Sequence, residues 1–194
     1  MGVLIATESV TIDGVMQGPG RPDEDTRGGF VHGGWGDGFS DDIMMAFMAE
    51  GMAAEGVMLF GRRTYEDLLH HWTTVAEPNP FTEHLVGAQK YVVSRKPDTV
   101  LAYPNSTLVP GEASETIATL KGEVRGRIAV IGSGELVRSL HRVGLVDGYV
   151  LLVHPIVLGS GTKLFGDGER SDLELERSAT TTTGVMIGQY GVRR

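Results

Sequence analysis

Three short segments carry residue types that bind anions. Gly61-Arg62-Arg63-Thr64 follows the apolar run Val57-Met58-Leu59-Phe60. A glycine lets backbone approach a phosphate, and a helix starting there offers free N–H groups. Two arginines and a threonine add charge-assisted donors. Ser94-Arg95-Lys96 closes a second run, Lys90-Tyr91-Val92-Val93, with a hydroxyl and two cations. Ile131-Gly132-Ser133-Gly134-Glu135-Leu136 reads as a strand, a glycine turn and a helix start. Each segment alone is equally a turn. The full dinucleotide fingerprint needs glycine at 137, which is Val137. Together, Arg62, Arg63, Arg95 and Lys96 concentrate positive charge at two strand ends of an acidic chain, with 17 Lys+Arg against 25 Asp+Glu and a net charge of −8. Such a set fits a dinucleotide with an extra phosphate, NADPH.

Other chemistries find less support. His70-His71 is an adjacent pair, which does not share one helical face, and reads as surface near a helix end. His154-Pro155 reads as structural. Met44, Met45, Met48 and Met52 read as the core face of one helix. No G-x-S-x-G, H-E-x-x-H or P-loop occurs. Cysteine is absent, which excludes thiolate metal sites, disulfides and a cysteine nucleophile, and no metal is expected. The net charge of −8 repels nucleic acid and anionic membranes.

The elements that position these residues alternate. Val3 to Val10 is a strand. Residues 13–38 form a long loop rich in glycine, holding Gly33-Gly34-Trp35-Gly36. Loops of that length in compact domains are uncommon and are usually functional or disordered. Ser40 is the expected N-cap of a helix running to Ala54, with Asp41 and Asp42 in its first turn. Val57–Phe60 is a buried strand, followed by a helix through Tyr65, Leu68, Leu69 and Trp72. A proline-broken loop around Pro78 and Pro80 leads to the strand Lys90–Ser94. Leu108-Val109 is a minor strand and Ser114–Lys121 a short helix. Arg127–Ile131 is a strand, Glu135–Val143 a helix and Gly148–Val153 a strand. Leu173–Ala179 and Gly184–Val192 alternate as an antiparallel pair. The pattern predicts one α/β domain over 1–194, a three-layer αβα sandwich with a mostly parallel sheet closed by an antiparallel hairpin. At 194 residues the chain buries a core without staples. The first residues lack the basic and apolar regions of a secretory leader, and no apolar run reaches membrane-spanning length, so cytoplasm is the expected address.

Four segments resemble the dihydrofolate reductase-like superfamily, and within it the reductase domain of the bifunctional riboflavin-biosynthesis deaminase–reductase and its stand-alone relatives. They are Ser9-Val10-Thr11-Ile12-Asp13-Gly14, Phe60 to Glu66, Lys90 to Arg95, and Val130 to Gly134 with His154 to Phe165. The resemblance covers nearly the whole chain in order. It implies that Gly61, Arg62, Arg63 and Thr64 bind cofactor phosphates, and that Ser94 and Arg95, with Lys96, hold the 2′-phosphate. Ile131, Gly132, Ser133, Gly134, Glu135 and Leu136 wrap the pyrophosphate and nicotinamide side. Ala6, Ile12, Gly14 and Met16 line the nicotinamide. Trp35 and the Gly159-Ser160-Gly161 loop are assigned to substrate. Two departures stand out: Gly-Ser-Gly replaces the family's usual Gly-Gly pair, and residues 14–38 form a longer loop than in folate-reducing members. The absent cysteines leave no deaminase zinc site.

The expected function is therefore NADPH-dependent reduction of a pteridine- or ribosylaminopyrimidine-like small molecule, as in riboflavin biosynthesis. The alternatives are a nucleotide-binding protein without turnover and a folate reductase. Asp13 and Asp42 are the two carboxyl candidates for the proton that accompanies the hydride. Each has a plain reading as well, Asp13 as a turn residue and Asp42 as a favourable charge at a helix start. A homodimer is implied by the resemblance, with Leu173-Glu174-Leu175 and Val185-Met186-Ile187 as the edge to be covered.

Overall fold

The computed structural model describes residues 1–54 and 56–193. Its first strand, β1 (Val3–Thr11), lies in the middle of an eight-stranded sheet. After it come α1 (Asp42–Ala53), β2 (Gly56–Gly61), α2 (Arg62–Thr74), α3 (Pro80–Gly87), β3 (Lys90–Ser94) and β4 (Ser106–Pro110). The chain continues with α4 (Ala113–Glu123), β5 (Arg127–Ile131), α5 (Gly134–Arg142), β6 (Gly148–His154), β7 (Leu173–Thr180) and β8 (Met186–Val192). The strand order is β4-β3-β2-β5-β1-β6-β8-β7. Every pairing from β4 to β6 is parallel, and β8 joins antiparallel to both β6 and β7.

Both faces of the sheet are covered, which explains its continuous apolar strands. On one face Leu4, Ala6, Ile128 and Val130 pack with Ile117 and Leu120 of α4 and with Leu136, Val137 and Leu140 of α5. On the other, Met58, Phe60 and Val92 meet Tyr65 and Leu69 of α2 and Leu85 of α3. Phe47 of α1 packs there on Val150, Leu152 and Ile187. The helices thus form two outer layers, as the alternation of elements predicted.

Two local readings change. Asp41, not Ser40, caps α1: its Oδ1 accepts the Met44 N–H at 2.9 Å. The stretch around Pro80 holds a helix, α3, rather than a loop. Asn79 caps it by accepting the Thr82 N–H at 3.1 Å, and Pro80 occupies its first turn, where a missing N–H costs nothing. Lys90 then caps the other end of α3. Its buried Nζ donates to the carbonyls of Leu85, Val86 and Ala88 at 2.9, 3.0 and 2.7 Å.

The long loop is packed, not splayed. Trp35 Nε1 donates to the Gln17 carbonyl at 2.7 Å, and Trp35, Phe30 and Val15 form a small buried cluster. Glycine is required at 33 because a Cβ there would lie 2.4 Å from the Pro22 carbonyl oxygen. His154 is buried beside this cluster, edge-on to Trp35 and Phe39, and burial lowers its pKa.

Candidate active site

The chain leaves β1 on the α1 face and passes β5 to reach β2. It leaves β5 on the α5 face and passes β1 to reach β6. Opposite crossovers from neighbouring strands open a crevice at their carboxyl ends, the usual ligand position in open α/β sheets. Thr7 and Ile131 are register partners there, and the Gly132 N–H donates to the Thr7 carbonyl at 3.2 Å. Side chains alternate along a strand, so two cavities abut across this pair. Thr7 and Ile131 line one of about 170 Å³ under α1. Glu8 and Gly132 line the other, about 340 Å³, at the start of α5.

The larger cavity gathers two of the three anion-binding segments. Ser133 sits in the left-handed region at φ 63°, and its Oγ accepts the Gly61 N–H at 2.9 Å. That bond ties the start of α5 to the start of α2. Neither helix N-terminus has a side-chain cap, as is also true of α4, whereas α1 and α3 are capped by Asp41 and Asn79. Their first N–H groups therefore face the crevice with anion-binding capacity. Arg63, Thr64, Gly132, Ser133, Gly134, Glu135 and Met16 all line this cavity. Gly134 makes room for Met16: a Cβ there would fall 2.0 Å from the Met16 sulfur and would have to displace that side chain. The cations are already matched by carboxylates. Arg62 pairs with Glu66 at 2.6 Å, while Glu135 holds Arg27 at 2.5 Å and Arg63 at 3.4 Å.

The third segment lies at the end of β3, beside β2. Ser94 is buried, and its Oγ accepts the Lys96 N–H at 3.2 Å and the Thr99 hydroxyl at 2.8 Å. Arg95 and Lys96 are exposed on the same sheet edge. Ala6 and Leu136 belong to the core, Ile12 is exposed, and Gly14 turns the chain at φ 82°.

Three carboxyl groups divide the chemistry. Glu8, on β1, is 5% exposed, and its Oε1 has no hydrogen-bond partner among the described residues. Burial, aided by the Glu24 carboxylate, pushes its pKa up to about 8, so it keeps its proton at neutral pH. Asp13 is the opposite. It accepts the Thr11 hydroxyl at 2.6 Å and the N–H groups of Gly159 and Leu158 at 2.8 and 3.2 Å. These bonds lower its pKa to about 2. An ionised carboxylate engaged by three donors anchors the loop. Asp42 is exposed in the first turn of α1 and is not among the residues lining either cavity. Asp41 binds the Thr182 N–H and hydroxyl at 2.6 and 2.7 Å as well as capping α1.

The substrate assignments move as well. Trp35 is buried within the loop cluster and faces neither cavity. Gly159, Ser160 and Gly161 form a turn tied to Asp13, and Gly161 packs against Phe30 and Val15. Only the following residue, Thr162, reaches the larger cavity, where its N–H donates to Gln17 Oε1 at 2.9 Å. Sequence reasoning passed over Glu8 because it read as one residue of a strand. Its signal was a carboxyl between Thr7 and Ser9 in a strand apolar enough to be buried on both faces.

Residues 3–187 match the model of the RibD C-terminal domain, and the chain belongs to that family of oxidoreductases with the dihydrofolate reductase fold. The uncharacterized proteins YyaP and YwjB of Bacillus subtilis (strain 168) are 29% and 30% identical over 66% and 70% of this chain, and 70% and 72% of their own. Acinetobacter baumannii RibD superposes with a TM-score of 0.65 at 11% identity over 100% of this chain and 59% of its own. Enterococcus faecalis dihydrofolate reductase, solved with NADP(H), gives 0.59 at 14% identity, over 100% and 98%. Among the described residues no helix is long and apolar enough to cross a membrane.

The buried Glu8 makes stability pH-dependent with a defined sign. Between its ordinary pKa of 4.5 and about 8, the unfolded chain has lost this proton and the folded chain keeps it. Glu8 therefore lowers stability as pH rises through that window, by ~1.4 kcal/mol per pH unit, and no further above it. Glu8→Gln is expected to unfold at a higher temperature than the parent at about pH 9, with the gap closing toward about pH 5. A gap independent of pH would remove the assignment.

Proposed function

We propose that the chain is an NADPH-dependent reductase of a pteridine- or ribosylaminopyrimidine-like small molecule, of the kind used in riboflavin biosynthesis. The observation that carries this reading is the pair of uncapped helix N-termini, α2 and α5, locked together by Ser133 at the switch point. Free N–H groups from two helices suit a pyrophosphate. Gly61, Thr64 and residues 132–135 are the groups to hold it, with Arg62 and Arg63 adding charge. Ser94, Arg95 and Lys96 suit a 2′-phosphate one strand further along the edge. Met16, against Gly134, borders the nicotinamide position. When bound, the cofactor supplies the hydride; the protein supplies orientation and the proton. The smaller cavity, reached past Thr7 and Ile131, is the place for substrate.

Calorimetry with NADPH and NADH tests the cofactor. A charge-assisted contact to phosphate is worth ~1.5–3 kcal/mol, about one to two decades of affinity. NADPH is expected to bind that much more tightly, and Arg95→Ala to erase most of the difference without weakening NADH. Equal affinities for the two cofactors in the parent protein would overturn the preference.

Glu8 takes the place of Asp13 and Asp42 as our candidate proton donor, because it is the neutral carboxyl at the crevice. With a substrate that oxidises NADPH, followed at the nicotinamide absorbance, Glu8→Gln is expected to lower kcat ~10²–10⁴-fold. Cofactor affinity should hold, and the parent's loss of rate above about pH 8 should disappear. Asp42→Asn should be silent. Parent-rate turnover by Glu8→Gln hands the proton to water.

A homodimer is the expected assembly. Strand β7 is one of the two edges of the sheet, β4 being the other, and Leu175 on it is exposed. Open edges invite cover. Light scattering should give twice the chain mass, and a monomer at working concentration removes the expectation.

A further inference from the structure

The smaller cavity contains a cation with no ion-pair partner among the described residues. Arg127 starts β5, and its Nε is buried without a hydrogen bond among the described residues. Burial lowers its pKa, and no carboxylate among the described residues offsets that. The second guanidinium in the cavity is engaged: Arg177 pairs with Glu50 and lies 4.4 Å over the Phe47 ring. His84, at another wall, has its pKa lowered by burial and by Lys90, which disfavours a further positive charge there. Among the described residues lining the cavity, two arginines face one glutamate, an excess of one positive charge.

The helix above runs against it. α1 carries a glycine in its interior, Gly51, where glycine costs about 0.5–1 kcal/mol relative to alanine. A Cβ at that position would stand 3.7 and 3.8 Å from the Arg127 guanidinium nitrogens. Those are ordinary contact distances, so α1 passes directly beside the guanidinium at Gly51. The remaining lining is apolar, from Phe47, Met48, Met58, Ala129, Ile131 and Val150.

Partly buried charges without partners are costly, and proteins pair them or leave them for a ligand. We propose that this cavity binds a planar ring carrying one carboxylate, with the carboxylate on Arg127 and the ring over Phe47, Met58 and Ile131. Guanidinium matches carboxylate in a bidentate fork, and a single negative charge balances the excess positive charge. A phosphate, carrying about −1.5 to −2, exceeds it. A cavity of about 170 Å³ holds a compact ring acid. This rests on the reading of the smaller cavity as the substrate side of a reductase, and it names the class of substrate.

The test uses binding to the full chain, so it does not depend on turnover. NMR titration with 2-naphthoate, 2-naphthamide and 2-naphthyl phosphate supplies the three arms. The carboxylate is expected to bind at least about tenfold more tightly than the amide, as one charge-assisted pair implies, and more tightly than the phosphate. Arg127→Met should erase the discrimination and leave NADPH affinity unchanged. Removing an unpaired buried charge does not cost stability, so Arg127→Met should unfold at or above the parent temperature. Equal binding of acid and amide overturns the proposal, as does no binding, tighter binding of the phosphate, or discrimination retained in Arg127→Met. A destabilised or unfolded Arg127→Met also overturns it, because the guanidinium then serves the fold. If the parent neither binds nor oxidises NADPH, the reductase reading fails on its own, and the naphthoate titration still decides the ring-acid site.

Discussion

The crevice depends on one hydroxyl. Ser133 Oγ accepts the Gly61 N–H, and this bond joins the carboxyl ends of β5 and β2 where α5 and α2 begin. To place that oxygen, the backbone at 133 enters the left-handed region, which residues with a Cβ seldom occupy. Strain of this kind persists where surrounding structure over-determines it. Here the flanking glycines do so. Gly132 takes φ 59°, and Gly134 leaves room for Met16. The Gly-Ser-Gly sequence is thus one device: two glycines bend the chain, and the serine between them replaces a cap. Its side chain is spent on Gly61, so both helix N-termini remain open.

Charge is distributed by environment rather than by residue type. Glu8 and Asp13 lie five positions apart, yet one is pushed up to about 8 and the other down to about 2. Burial with no partner for one oxygen stabilises the neutral form of Glu8. Three donors stabilise the charged form of Asp13. Strand alternation decides which is which. Glu8 points toward the α5 face, into the crevice, while Asp13 has left the strand and meets the turn at Gly159.

Most of the architecture was legible because it rests on periodicity. Apolar strands, amphipathic helices and glycine turns appear in order, and the strand ends that carry Gly61 and Gly132 are those that meet. The misreadings share a cause: local residue chemistry was judged without its tertiary partner. Pro80 looked like a breaker, but Asn79 and Thr82 make it a helix start. Trp35 looked like a ligand contact, but Gln17 and His154 claim it. Glu8 and Arg127 passed unnoticed because nothing in sequence distinguishes a strand residue facing a cavity from one facing a helix. Facing depends on register, and the register of β1 against β5 and β6 is a long-range fact.

The arginines of the larger cavity then have a consistent meaning under the reductase reading. Glu135 holds Arg27 from the loop and Arg63 from α2 at once. All three side chains are about half exposed or more, and exposed pairs contribute only ~0–1 kcal/mol. A charge-assisted bond to phosphate is worth ~1.5–3 kcal/mol, so exchange of partners favours the ligand. Without one, the pairs keep two cations from repelling each other across the crevice. They also tie the loop to the sheet edge through Arg27. An acidic protein can in this way keep cations at a site where its overall charge opposes an anion. Glu8 belongs to the same balance. A neutral carboxyl in the wall spares the crevice one further negative charge, and that holds only while burial keeps its proton in place.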